Sequence, residues 1–272
     1  MMSISGYLKS RQKLVDAALD SYLPRENEYP KEIHRAMRYS VFSGGKRVRP
    51  ILVLASCEAC GGKTADAMIA ACAIELMHTY SLVHDDLPSM DDDDYRRGKP
   101  TCHKKFGEGI AVLAGDALLT FAFELLAGGK DTKANNAIIK TAAEGIGTYG
   151  MIGGQVVDIL SQPDPDLPTL TYINARKTGA LIAASCRIGA LAARASKKEA
   201  DALTRYGEYI GFTFQVVDDI LDKEGFALAL GVDGAKKEAS RLIKKAHKEI
   251  ELFGRKAKPL GDLADFILNR KK

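Results

Sequence analysis

Residues 64–100 read TADAMIAACAIELMHTYSLVHDDLPSMDDDDYRRGKP. The first part is apolar around most of a 3.6-residue turn. It ends at His84-Asp85-Asp86, and a short loop then carries Asp91-Asp92-Asp93-Asp94. A helix apolar on nearly every side has to be surrounded by other helices. Residues 108–127 and 176–193 have the same character. The expected fold is therefore all-α, a layered helical bundle whose central helices are largely dry.

Working outward, helical periodicity predicts helices over 5–21, 29–42, 47–60, 64–84, 108–127, 132–148, 150–161, 170–193, 197–222, 233–253 and 258–270. The breaks fall at Pro24, Gly44-Gly45, Gly61-Gly62, Gly128-Gly129 and the proline-rich run 162–168. Thr64 and Asp131 are the expected N-caps. Neither a strand pair, an internal repeat nor a linker stands out, so residues 1–272 are read as one domain.

Composition excludes several classes of function. Lysine and arginine number 39 against 35 acidic residues, and the two signs alternate along the chain, unlike the basic stripe of a nucleic-acid binder. Five cysteines at irregular spacing suit a reducing compartment, and the lone Cys57/Cys60 pair reads as part of an apolar helix. No stretch reaches the roughly 18 consecutive apolar residues of a transmembrane helix. A cytoplasmic location with no membrane-spanning segment is expected.

Two acidic groups carry the chemistry. Asp85, Asp86 and Asp91 cluster at the end of one apolar helix. Asp218, Asp219 and Asp222 end another, with Asp218 and Asp222 four residues apart on one helical face. Carboxylates packed this closely repel one another unless a cation lies between them. Hard oxygen ligands, few per ion, suit Mg²⁺ shared with substrate phosphates. Basic residues complement them. Gly44-Gly45-Lys46-Arg47-Val48-Arg49 places a turn before a helix start, with Lys46 and Arg49 three residues apart, an anion cradle helped by the free N–H groups of the helix N-terminus. Arg96 and Arg97 add fork-shaped donors suited to phosphate oxygens.

Together these residues resemble the trans-prenyl diphosphate synthases, and the bacterial farnesyl diphosphate synthases within them. The matching pieces are GGKRVRP at 44–50, HTYSLVHDDLPSMDDDDYRRGKPTCH at 78–103, GGQVVD at 153–158, KTGAL at 177–181 and FQVVDDILD at 214–222. The resemblance implies an isoprenoid-synthase-type bundle around a deep central cavity, a homodimer, and head-to-tail condensation of an allylic diphosphate with isopentenyl diphosphate to give the C15 farnesyl product. It implies Mg²⁺, three ions per site with substrate bound. Asp85 and Asp91, assisted by Asp86, would ligate metal on one side; Asp218 and Asp222 would do so on the other, with Asp219 acting through water. Arg96 and Lys177 would contact the allylic diphosphate. Lys46, Arg49, His78 and Arg97 would hold isopentenyl diphosphate, which needs no metal. Thr178 and Gln215 would face the developing carbocation. His84 and His103 match the pattern in structural roles.

Product length is read from Tyr80 and the neighbouring Ser81. Tyr80 lies five residues before Asp85, roughly 7.5 Å deeper along the helix. An aromatic ring there is expected to act as a floor. The alternatives are a C20 synthase, which Tyr80 argues against, and a non-catalytic regulatory subunit, which two complete aspartate clusters argue against. A class I terpene cyclase would not need the second diphosphate site. One departure from the family pattern stands out. Lys223-Glu224-Gly225 runs straight into Phe226 where the family has a glycine-rich basic loop and a further lysine. That loop is expected to have been omitted at this junction, because joining the helices directly leaves no room for a turn.

Overall fold

The computed structural model describes residues 3–129, 132–161 and 165–270. Thirteen α-helices are found among them: α1 (Ile4–Tyr22), α2 (Lys31–Val41), α3 (Val48–Ala59), α4 (Thr64–Asp85), α5 (Cys102–Phe106), α6 (Glu108–Ala127), α7 (Thr132–Ile146), α8 (Met151–Ser161), α9 (Leu167–Ile173), α10 (Ala180–Ala192), α11 (Lys197–Asp222), α12 (Gly225–Ile250) and α13 (Lys258–Leu268). A π-helical turn, Asn174–Gly179, joins α9 to α10, and a 3₁₀ segment, Glu251–Ala257, joins α12 to α13.

Helix α4 is the inner element, packed on α6, α3 and α10, while α10 also packs on α7 and α11. The dry interior expected of 64–84 and of the α10 region is observed. Ala67, Ile74, Leu76 and Met77 of α4 and Leu181, Cys186 and Ile188 of α10 have no solvent exposure. Each large apolar side chain buried in this way contributes about 1.5–3 kcal/mol. Helix α6 departs from expectation. Its apolar circumference is covered on one side only, and Val112 and Leu113 are exposed. Both α4 and α6 are long and apolar enough to cross a membrane, but α4 is an interior helix of this bundle.

Local chemistry accounts for the helix ends. Ser196 accepts the Glu199 N–H while Glu199 accepts the Ser196 N–H, a reciprocal cap that starts α11. Asp166 accepts the Thr169 N–H to start α9. Thr64 is not the cap of α4 but its first helical residue; Lys63 occupies the cap position, its N–H held by Asp66, and the Thr64 hydroxyl donates to Glu58. Asp131 and residues 162–164 lie outside the described residues.

Three further differences concern the site. The expected helix 170–193 is α9, the π turn and α10 in succession. The segment 95–100 forms a two-residue antiparallel ribbon, Tyr95–Arg96 (β1) with Lys99–Pro100 (β2), which the sequence does not signal. Helix α12 begins at Gly225, not at 233, and carries a non-helical residue at Gly231. The junction with α11 does hold a turn. Lys223 and Gly225 both adopt left-handed φ, 61° and 46°, and reverse the chain within three residues.

Candidate active site

Helix α4 delivers Asp85 as its last residue and Asp86 as its cap. Asp85 is half-buried, and burial pushes its carboxyl up to about 6; Lys177 works against this rise, and Asp91 adds to it. Its Oδ1 accepts the Gln155 side-chain amide at 2.5 Å. Asp86 is buried and holds Arg96 Nε at 2.5 Å, and Arg96 also reaches Asp93 at 3.0 Å. Asp91 is exposed, and its backbone N–H closes on the Asp85 carbonyl at 2.9 Å, so the loop folds back toward the helix end.

The second cluster ends α11. Asp222 is exposed, and Asp218 is paired with Arg270, whose guanidinium stacks 3.9 Å from the centroid of Phe214. Asp219 points inward. Its Oδ2 accepts the Phe226 N–H at 2.8 Å and its Oδ1 accepts the Gln215 amide at 3.1 Å. Burial raises its carboxyl, and those two hydrogen bonds offset part of the rise. Asp219 thus anchors the start of α12, next to the short α11–α12 turn.

The π turn ties the two clusters together. Lys177 Nζ donates to Asp158 Oδ2 at 2.6 Å and feels the charges of Asp85 and Asp91. Burial works against its positive charge, yet these acids hold its ammonium above the usual lysine range. The next residue, Thr178, donates to Gln215 Oε1 at 3.3 Å, and Gln215 in turn donates to Asp219. The close approach that places Lys177 here requires a glycine on α8. A Cβ on Gly154 would fall 2.1 Å from the Lys177 backbone nitrogen.

Of the basic residues, Arg49 and Arg97 lie beside His78. Arg49 donates to His78 Nε2 at 3.2 Å. Burial pushes Arg49 down to about 10, with Arg97 adding to the fall and Glu75 opposing it. Burial, then Arg49 and Arg97, hold His78 well below the usual histidine range, so it is neutral. Arg97 donates to the Gly44 carbonyl, and its guanidinium lies where a Cβ on Gly45 would stand. Lys46 is exposed on the same turn. Arg47 turns the other way, buried between Asp16 at 2.8 Å and Glu75 at 2.7 Å.

Beside these groups lies a cavity of ≈540 Å³. Arg49, His78, Asp85, Gln155, Lys177 and Thr178 supply polar lining, while Tyr80, Leu87, Met90, Val112, Val156 and Ile159 supply apolar lining. Ser81 also lines it, its hydroxyl turned back on the His78 carbonyl at 2.8 Å. Tyr80 is buried with a hydroxyl that has no hydrogen-bond partner.

Residues 30–245 match the polyprenyl synthetase family. The chain belongs to that family. It is 43% identical over 288 residues to the geranylgeranyl diphosphate synthase of Cyanophora paradoxa, covering 97% of this chain and 95% of the relative. It is 42% identical to the dimethylallyltranstransferase of Fischerella ambigua, covering 98% and 84%. The crystal structure of an FPP/GFPP synthase from Zymomonas mobilis superposes with a TM-score of 0.93 at 37% identity, covering 97% of this chain and 98% of that one. This trans-prenyl diphosphate synthase therefore has the isoprenoid synthase fold and elongates prenyl diphosphates.

The donor set fits the family's Mg²⁺. The ligands available are carboxylate oxygens, and Asp85 is raised toward neutrality by its half-buried setting, a deficit of positive charge that a hard dication makes good. Asp92, Asp94 and His103 also gather ligand atoms within 4.8 Å of one another, though Asp94 is already paired with Lys104 at 2.6 Å. Burial pushes the Cys57 and Cys60 thiols up to about 12. Gln155 and Asp158 are the site residues that sequence reasoning passed over. Their signal was the three-residue spacing in GGQVVD, which puts both on one face of α8.

Proposed function

We propose that this enzyme condenses isopentenyl diphosphate with dimethylallyl and then geranyl diphosphate and stops at farnesyl diphosphate. The observation that carries the reading is the cavity itself, which has Asp85 and Lys177 in its polar lining and the buried Tyr80 ring, five residues earlier on α4, in its apolar lining.

Asp85 and Asp91, with Asp86 assisting, and Asp218 with Asp222 would hold Mg²⁺; when bound, the ions supply Lewis-acid stabilisation of the charge gathering on the departing diphosphate. Lys177 and Arg96 add fixed positive charge there. Both must exchange a carboxylate partner, Asp158 and Asp86 respectively, for phosphate oxygen. Asp219, with both oxygens engaged, stands behind the site and orients Gln215. Lys46, Arg49, His78 and Arg97 bind the isopentenyl diphosphate.

The allylic C–O bond breaks, and the diphosphate leaves with the electron pair. The double bond of isopentenyl diphosphate then forms the new C–C bond, and the released diphosphate takes a proton from the adjacent carbon, whose C–H pair restores an alkene. The oxygens of Thr178 and Gln215 face the cationic carbon, and the apolar lining excludes the water that would quench it. A second copy of the chain covering the exposed apolar residues Val112 and Leu113 of α6 and Ile152, Val156 and Ile159 of α8 completes the reading as a homodimer.

A C20 product is the second reading, favoured by the name of the Cyanophora relative. The two-subsite assignment is tested by titration calorimetry. Isopentenyl diphosphate is expected to bind in EDTA and to lose affinity in Arg49→Ala, whereas a non-cleavable allylic thiolodiphosphate is expected to need Mg²⁺. An isopentenyl diphosphate that binds only with Mg²⁺ would contradict the assignment.

A further inference from the structure

Tyr80 and His84 stand one turn apart on α4 and line the same cavity. Their rings meet edge to face, with centroids 5.9 Å apart and planes at 81°. The Tyr80 hydroxyl is buried without a partner, so packing alone sets where that ring rests. His84, by contrast, is fixed from behind. Its Nε2–H donates to the Val112 carbonyl on α6 at 3.0 Å, with Asp116 Oδ1 3.9 Å away. Helix α6 makes room for the imidazole through a glycine: a Cβ on Gly115 would fall 2.0 Å from His84 Nε2 and 2.3 Å from Cδ2.

We propose that His84 is a positioning residue for product length: seated in the Gly115 socket of α6, it braces the Tyr80 ring and so sets the depth available to the growing chain. The inference rests on the elongation reading above. It goes beyond a histidine that merely ties α4 to α6, because a tie would affect stability and leave the products alone. Two substitutions act on the brace in opposite directions. His84→Ala empties the space beside Tyr80 and lets the ring move aside, which deepens the cavity. Gly115→Ala puts a methyl where the imidazole sits, drives the ring off α6 toward the cavity, and makes it shallower.

The test is product analysis of each variant with dimethylallyl diphosphate, isopentenyl diphosphate and Mg²⁺, alongside thermal unfolding of each protein. His84→Ala is expected to raise the ratio of C20 to C15 about tenfold, the discrimination that a few carbon atoms of pocket space provide. Gly115→Ala is expected to raise the ratio of C10 to C15 by a similar factor. In the His84→Ala background the added methyl meets no ring, so Gly115→Ala should then change the ratio less than about twofold, the non-additivity expected of residues in contact. His84→Gln keeps a donor for the Val112 carbonyl but lacks the flat ring; it is expected to lengthen the product as alanine does, and it carries the test should an alanine variant fail to fold. Condensing, folded His84 variants with the parent product distribution overturn the proposal. A parent protein that condenses nothing would instead overturn the elongation reading on which it rests.

Discussion

Lys177 Nζ lies 2.6 Å from Asp158 Oδ2, and the two residues sit on elements held together by the missing side chain of Gly154. Both ends of this pair are partly sheltered from water. The pair keeps the ammonium charged and aimed beside Asp85 before any substrate arrives.

Removing Lys177 should therefore damage the allylic side alone. Lys177→Ala is expected to lower kcat/KM for the allylic diphosphate by about 10²–10³-fold, the usual cost of one donor to developing negative charge. Affinity for isopentenyl diphosphate in EDTA should not change. Asp158→Asn keeps the shape but removes the carboxylate that Lys177 gives up for phosphate oxygen, so it is expected to lower kcat/KM far less than Lys177→Ala does. Steady-state kinetics with the allylic substrate varied reads both.

Substitution within each acidic cluster should separate metal binding from folding. Asp85→Asn and Asp218→Asn are each expected to cut Mg²⁺-dependent turnover by about 10²-fold or more, with an unchanged far-ultraviolet circular dichroism spectrum. A variant that turned over normally would remove that residue from the metal set.

The half-buried setting of Asp85 gives a pH dependence with a definite sign. Burial, only partly offset by Lys177, brings its carboxyl to about 6 in the folded chain against 3.8 for an unperturbed aspartate. Between those values the folded state holds a proton that the unfolded state has released. This group therefore lowers the stability of the metal-free protein as pH rises from about 4 to about 6. Mg²⁺ with inorganic diphosphate binds the ionised form. The gain in Tm on adding both should be small at pH 5, grow through pH 6 and level off above it. A gain that is flat across this range would contradict the assignment of Asp85.

Arg47 illustrates how a basic motif divides its labour. Only 3% of its side chain is exposed, and the same holds for Glu75, its partner at 2.7 Å. Breaking a buried pair by removing one charge costs about 3–5 kcal/mol. Glu75→Gln is expected to lower the urea midpoint by a corresponding amount, whereas Lys46→Gln, on the exposed side of the turn, should leave it unchanged.

Much of this was legible in the sequence because it depended on local spacing. The two aspartate clusters, the apolar character of α4 and α10, and most helix ends follow from 3.6-residue periodicity and from glycine and proline breaks. What escaped was set through space. The Gln155–Asp85 contact joins residues 70 apart in sequence, and no pattern in either segment announces the other. The π turn at Asn174–Gly179 depends on the packing of Gly154 against Lys177 and of Gly211 against Gly179, which helical periodicity alone does not reveal. The α11–α12 junction closes because Lys223 and Gly225 take up left-handed conformations and because Asp219, singled out as a metal residue, accepts the Phe226 N–H in the first turn of α12. Helix α6 was expected to be surrounded by other helices, yet Val112 and Leu113 are exposed, because an all-round apolar composition does not say which faces the fold covers.

The central claim meets its most direct test in product identification. The protein is incubated with dimethylallyl diphosphate, isopentenyl diphosphate and Mg²⁺, with an EDTA control, and the dephosphorylated products are separated by gas chromatography–mass spectrometry. Farnesol as the dominant, EDTA-sensitive product is the predicted result. Geranylgeraniol as the dominant product would contradict the role given to Tyr80, and the absence of any prenyl alcohol from a folded protein would contradict the account of the site itself.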